Sequence, residues 1–173
     1  DQCEALVWAG LGGQAVAGAI LRVLTGDVNP SGKLAESFPI SYDETPISLY
    51  YPGVEKTSEY RESIFVGYRC YQTADIPVRF PFGFGMSYTS FEYKNLTVTE
   101  QGAEFDLTNT GKCAGAEVSQ LYISLPGAKV FRPKYELKGF AKTYLEPGET
   151  RHVTIALDDK AFRYFNTKTN RWE

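Results

Sequence analysis

Apolar residues change their spacing three times along the chain. Ala5-Leu6-Val7-Trp8-Ala9 is a short continuous apolar run, the pattern of a strand buried on both faces. After the break at Gly10 to Gly13, residues 14–25 carry a helical period. Val16, Ala17, Ile20, Leu21 and Leu24 recur at three- to four-residue spacing, and Gly26 is placed to end the helix. Asn29-Pro30-Ser31-Gly32 then marks a turn. A lone strand–helix unit of this size cannot cover both of its apolar faces, so further sheet from a parent protein is expected upstream.

Residues 41–91 lose the period and become rich in Tyr, Pro and Gly, with one strand predicted over Ile64 to Tyr71 and a Gly/Phe loop over Phe80 to Ser87. From Phe91 onward a period of two takes over. Glu104 to Thr108, Glu117 to Leu125, Tyr135 to Leu145 and Arg151 to Leu157 read as strands. In the last of these Val153, Ile155 and Leu157 face one way, and His152, Thr154 and Ala156 the other. On the second strand Val118, Gln120 and Tyr122 share a face opposite Leu121, Ile123 and Leu125. Short strands separated by turns such as Asn109-Thr110-Gly111 and Glu146-Pro147-Gly148-Glu149 predict a β-sandwich. Phe162 to Trp172 reads as the start of a hairpin whose return strand would follow Glu173, leaving the sandwich without its last strand. Such an open edge is suited to strand addition by a second copy, so a homodimer is a further expectation.

Composition narrows the function classes. Eighteen basic against 21 acidic side chains give a formal charge of −3, which supplies no cationic face for nucleic acid. No apolar run approaches the roughly 20 residues of a membrane helix. Cys3, Cys70 and Cys113 are odd in number, widely spaced and without a neighbouring His, so neither a complete disulfide framework nor a zinc site is expected; three buried thiols in a reducing compartment are. The chain starts at Asp1 with no basic-then-apolar leader, which favours an excised piece of a cytoplasmic protein. No metal and no cofactor are called for. The unusual ingredient is aromatic: 12 Tyr, 11 Phe and 2 Trp make up 14 % of the chain.

Four blocks, in order, carry a resemblance. Leu24-Thr25-Gly26-Asp27-Val28-Asn29-Pro30-Ser31-Gly32-Lys33-Leu34 with Phe38-Pro39 resembles the end of the α/β sandwich domain of glycoside hydrolase family 3. Tyr60 to Arg69 and Phe80 to Thr89 resemble the segment that follows it in that family. Thr108 to Gly111, Glu117 to Tyr122, Leu137 to Phe140 and Leu145 to Glu149 are similar to its fibronectin type III-like domain. The fold class so implied is an α/β fragment followed by all-β: residues 1–41 the tail of the α/β sandwich, 42–91 an aromatic-rich connector, and 92–173 an immunoglobulin-like (fibronectin type III-like) sandwich. The resemblance implies hydrolysis of β-linked glucoside or xyloside oligosaccharides with retention, by a carboxylate pair roughly 5 Å apart. It also implies that the nucleophile Asp and the acid/base Glu lie outside this chain, so that this part is non-catalytic and works with the rest of the parent chain. An autonomous carbohydrate-binding or interaction module is the second reading.

Few residues stand out as candidates for a site. Glu59 and Glu62 flank Tyr60, but three residues of extended chain would hold them about 10 Å apart on opposite faces, unsuited to a catalytic pair. Tyr60, Glu62 and Phe84 are the substrate-contacting candidates, at the rim of a sugar site. Phe105, Tyr122 and Phe140 read as sandwich core. Tyr42, Tyr50, Tyr51, Tyr60, Phe82, Phe84 and Tyr88 read chiefly as cement between the two parts. His152 reads as solvent-facing, and Asn95-Leu96-Thr97 as a glycosylation sequon relevant only in a secreted protein.

Overall fold

A computed structural model describes residues 3–53 and 56–173. Helix α1 (Val16–Leu24) forms where the apolar period predicts. Beyond it Gly26 adopts φ +82°, a left-handed conformation open to glycine without strain. None of the residues of α1 is buried, and Leu21 and Leu24 are 61 % and 64 % exposed. The apolar run at residues 5–9 carries no strand. Strand conformation needs a ladder for its backbone groups, and no described strand pairs with this run.

β1 (Phe38–Pro39) precedes a short 3-10 turn at Tyr42–Glu44, α2 (Tyr68–Thr73) and β2 (Val78–Phe80), which pairs antiparallel with β1. The strand predicted over residues 64–71 is absent. The chain turns through residues 61–64, and Ser63 (φ +51°) and Gly67 (φ +56°) sit in the left-handed region, which interrupts extended backbone. Tyr68 and Tyr71 then fall three apart on one face of α2, and both are buried. A period of three was hidden inside what looked like a period of two.

The sandwich is built from β3 (Phe91–Thr99), β4 (Gly102–Asn109), β5 (Gly115–Ile123), β6 (Glu136–Leu145) and β7 (Thr150–Ala156). One antiparallel sheet runs in the order β3-β4-β7, and the facing one pairs β5 with β6. Alternation on the central strand is clean: Ala103, Phe105, Leu107 and Asn109 point inward, with Glu104 exposed between them. Phe105, Leu107, Leu145, Val153 and Ile155 form the core, with Phe91, Leu121 and Ala141 packed against it. Opposite Phe105, β3 carries an extra residue, and Asn95 takes φ +55° in that bulge, which an Asn tolerates.

Several expectations need correction. The terminal hairpin closes within the chain: β8 (Phe165–Asn166) pairs with β9 (Arg171–Trp172), and the loop turns at Asn170 with φ +54°. The Phe165 and Trp172 rings meet edge to face at 5.6 Å. Of the three aromatics assigned to the sandwich core only Phe105 belongs there. Tyr122 faces the connector, and Phe140, paired with Gln120 in the ladder, is 68 % exposed. The three thiols are free, but Cys3 and Cys113 are exposed and Cys70 is half-buried.

Candidate functional site

The polar side chains that are most fully used gather where the three parts of the chain meet. The turn expected at residues 29–32 does not form, the chain turning earlier, at 25–28, and Asn29, in the irregular stretch after it, donates from Nδ2 to the Ala114 carbonyl at 3.0 Å. Its Oδ1 accepts from the Ser87 hydroxyl and the Tyr88 backbone N–H, both at 2.9 Å. One short amide side chain thus holds the first segment, the connector and the entry to β5. Four residues on, Lys33 Nζ donates to the Gly85 carbonyl at 2.9 Å and to Glu117 Oε2 at 3.0 Å, with side chains only 16 % and 15 % exposed. The Tyr93 hydroxyl shares a hydrogen bond with Ser119 Oγ at 3.0 Å and donates to Glu117 Oε1 at 3.4 Å; burial pushes its phenol up.

Close approach at this seam is made possible by glycine. A Cβ on Gly85 would stand 2.2 Å from the Gly32 carbonyl oxygen, and one on Gly115 would stand 2.5 Å from Asn29 Nδ2. Backbone bonds complete it, Leu34 N–H to Phe84 O at 2.8 Å and Gly83 N–H to Leu34 O at 2.7 Å. Gln120 donates to the Gly83 carbonyl at 3.0 Å and accepts from the Tyr122 hydroxyl at 2.6 Å. Directly beneath, Asn109 is fully buried and fully paired. Its Oδ1 accepts from Thr89 Oγ1 and the Gly111 N–H, and its Nδ2 donates to the carbonyls of Cys113 and Leu145.

Aromatic rings form the second component. Trp8, Phe38, Phe80 and Phe84 make a chain with centroid separations of 5.1, 6.2 and 5.4 Å. Tyr68 stacks on Phe82 at 4.5 Å, meets Tyr122 edge to face at 6.1 Å, and its hydroxyl accepts from the Leu137 N–H. Phe65 stacks on Phe131 at 4.9 Å. The connector aromatics therefore divide: Phe82 and Phe84 pack at the seam and Tyr88 bonds Val23 O, whereas Tyr42, Tyr50, Tyr51 and Tyr60 point outward. Arg61 lies over the Tyr50 ring at 4.2 Å, and its guanidinium is raised by a hydrogen bond to Tyr50 and by Glu59.

Of the rim candidates, Tyr60 is 94 % exposed, Glu62 is half-buried beside Cys70, and Phe84 is 39 % exposed. Glu59 is not on an extended segment with Glu62: the chain turns from residue 61, and Glu59 pairs with Arg61 at 2.8 Å. The seam residues Asn29, Lys33, Asn109 and Glu117 read in sequence only as turn formers or strand positions. The available signal was chemical: an Asn and a Lys fixed among Gly and Pro, and an Asn on the inward register of β4.

Comparison with known proteins decides the family. Residues 1–88 match the glycosyl hydrolase family 3 C-terminal domain, and residues 117–173 match the fibronectin type III-like domain. The chain belongs to glycoside hydrolase family 3. Within the family it is 46 % identical over 180 aligned residues to thermostable beta-glucosidase B of Acetivibrio thermocellus, covering 99 % of this chain and 24 % of that protein. It is 42 % identical to an exo-alpha-(1->6)-L-arabinopyranosidase of Bifidobacterium longum, over 92 % of this chain and 22 % of the relative. The crystal structure of the Bifidobacterium adolescentis GH3 beta-glucosidase superposes with a TM-score of 0.85 at 41 % identity, over 92 % of this chain and 24 % of that one. The chain thus spans about a quarter of the length of the family 3 proteins it matches.

Proposed function

We propose that the chain is the C-terminal, non-catalytic part of a retaining family 3 β-glycosidase of the β-glucosidase or β-xylosidase type. Its contribution is to hold and shape a site built by the rest of the polypeptide. The observation that carries this is the seam. Asn29, Lys33 and the glycines around them lock the α/β tail, the connector and the sandwich into one mount, while α1 leaves an apolar face uncovered. A buttress needs both properties, rigidity inside and an apolar face outside. The division into residues 1–41, 42–91 and 92–173 is part of the same proposal. So is the assignment of Tyr60 and Glu62 to the rim of the sugar site; Phe84, stacked on Phe80, has the weaker case. Edge strand β3, with Leu96 and Val98 exposed, offers a place for a second copy.

The test is complementation. This chain alone is expected to release no product from aryl β-glucosides or β-xylosides. Mixed with the remaining portion of a family 3 enzyme lacking this part, it is expected to restore turnover. Failure to restore turnover, together with retention of the chain on insoluble cellulose or xylan, would replace this reading with a carbohydrate-binding module.

A further inference from the structure

The sandwich is covered on one side and open on the other. Residues directly opposed on antiparallel neighbours share a face, so Phe91, Tyr93 and Val98 of β3 point the same way as Asn109, Leu107 and Ala103 of β4. That is the inward face. Leu107 and Ala103 are 0 % and 2 % exposed, yet Tyr93 is 47 % and Val98 64 % exposed. The facing sheet accounts for the difference. It pairs only β5 with β6, whereas immunoglobulin-like sandwiches put about three or four strands in each layer. β6 lies against β7, since a Cβ on Gly139 would stand 2.6 Å from Ile155 Cγ2. β5 therefore sits opposite β4, and no described strand sits opposite β3; the β8–β9 hairpin joins neither sheet. The Tyr93 hydroxyl reaches across to Ser119 Oγ on β5 at 3.0 Å, tying the roof of this trench to its side. On the side away from β6, the backbone of β5 meets no strand among the described residues.

We propose that this trench receives one extended segment of the parent polypeptide, from outside these 173 residues, as a further strand paired with β5. The free edge of β5 supplies main-chain hydrogen bonds, and Tyr93 and Val98 supply an apolar roof for every second side chain of the incoming strand. A strand fits where a helix does not: its axis would run about 4.8 Å from β5, in a layer about 10 Å below β3. Length favours the same polypeptide as the source, because the chain spans about a quarter of the family 3 proteins it matches. A second copy added at the outer edge of β3 would extend that sheet and leave Tyr93 and Val98 uncovered from below. The inference rests on the reading of this chain as one part of a longer family 3 protein.

The probe is a synthetic peptide of nine residues, the length of β5, that alternates Val with Thr and ends in Lys. Titrated into the 173-residue chain, it is expected to bind saturably and to slow amide exchange in β5 about tenfold, read by NMR. A counterpart with Pro in place of every Thr lacks the N–H groups for pairing and should bind about tenfold more weakly. Val98→Asp should weaken binding about tenfold at unchanged Tm, because it sets a charge against an apolar strand. Phe140→Ser, on the far face of the β5–β6 sheet, should leave binding as it was. A full-length family 3 protein containing this chain should not bind the peptide, its own strand being in place. Equal binding by that protein and by the chain alone would overturn the proposal. So would an unsaturable response, undiminished binding by Val98→Asp, or equal binding of the Pro-bearing peptide. A dimer of the chain in sedimentation that protects β5 and excludes the peptide would assign the trench to a second copy, against the proposal. Should Val98→Asp fail to fold, the Pro-bearing peptide supplies the same comparison. Complementation of turnover is measured separately, so loss of this strand site would leave the buttress reading standing.

Discussion

The two halves of the chain carry comparable apolar patterns and treat them oppositely. In the sandwich, Phe105, Leu107, Leu145, Val153 and Ile155 are all 6 % exposed or less. In α1 no residue of an equally regular stripe is buried. Periodicity specifies which face wants cover, whereas burial depends on a partner surface being present. The β strands bring their own partner through hairpins; among the described residues the helix receives only partial cover, at Val16, Ile20 and Val23. The same contrast runs through the aromatics, since Phe105 is core and Phe140, an equally good β-former, lies open on the opposite face of its sheet.

The sharpest way to break this comparison is a matched pair of truncations. Leu107→Ala should cost about 3–4 kcal/mol in urea unfolding, because a wholly enclosed side chain leaves a cavity. Leu21→Ala, at 61 % exposure, should cost less than about 0.5 kcal/mol in this chain. Equal losses would show that α1 is packed in solution. Next in size is the seam: Asn109→Ala strands two carbonyls and two donors, for a loss of about 3 kcal/mol. Asn29→Ala should cost about 1–2 kcal/mol in a single, shifted calorimetric transition, since Lys33–Glu117, Gln120–Gly83 and Leu137–Tyr68 still join the halves. Two separate transitions would mean that Asn29 alone couples them.

The third test concerns the sandwich's solvent face, where His152 Nδ1 lies 2.9 Å from Asp106 and Nε2 3.8 Å from Glu104. The hydrogen bond to Asp106 raises His152 above its ordinary 6.5. Its contribution is therefore complete below about pH 6.5 and lost as pH rises through the higher folded value. Asp106 is held below its ordinary 3.8 by Asn95 and then His152, so its share is present above that value and lost in stronger acid. His152→Gln should flatten the small fall in Tm between pH 6 and pH 8; an unchanged slope would place its origin elsewhere. Smallest of all, Phe140→Ser should move Tm by no more than a surface substitution does, under about 0.5 kcal/mol.

The sandwich was legible because alternation, turns and pairing are local rules, and strands β4 to β7 obey them. The connector was not, because Ser63 and Gly67 take left-handed conformations that a hydrophobic pattern cannot register, and they convert a would-be strand into α2. The seam was illegible for another reason. Asn29 reaches Ala114, 85 residues away, and Lys33 reaches Glu117, 84 away. Polar partners that far apart leave no periodic trace, and their identity matters more than their hydropathy.

That long reach has a consequence for anyone recombining family members. A chimera cut at the start of β3 would look natural, since the strands begin there. Yet Gly115 and Glu117 are shaped to the side chains of Asn29 and Lys33, and Gly85 to the backbone of Gly32. The exchangeable cassette is therefore the whole stretch from Asn29 onward. Grafts that honour that boundary should express as well as their parents, and those cut at the strand should not.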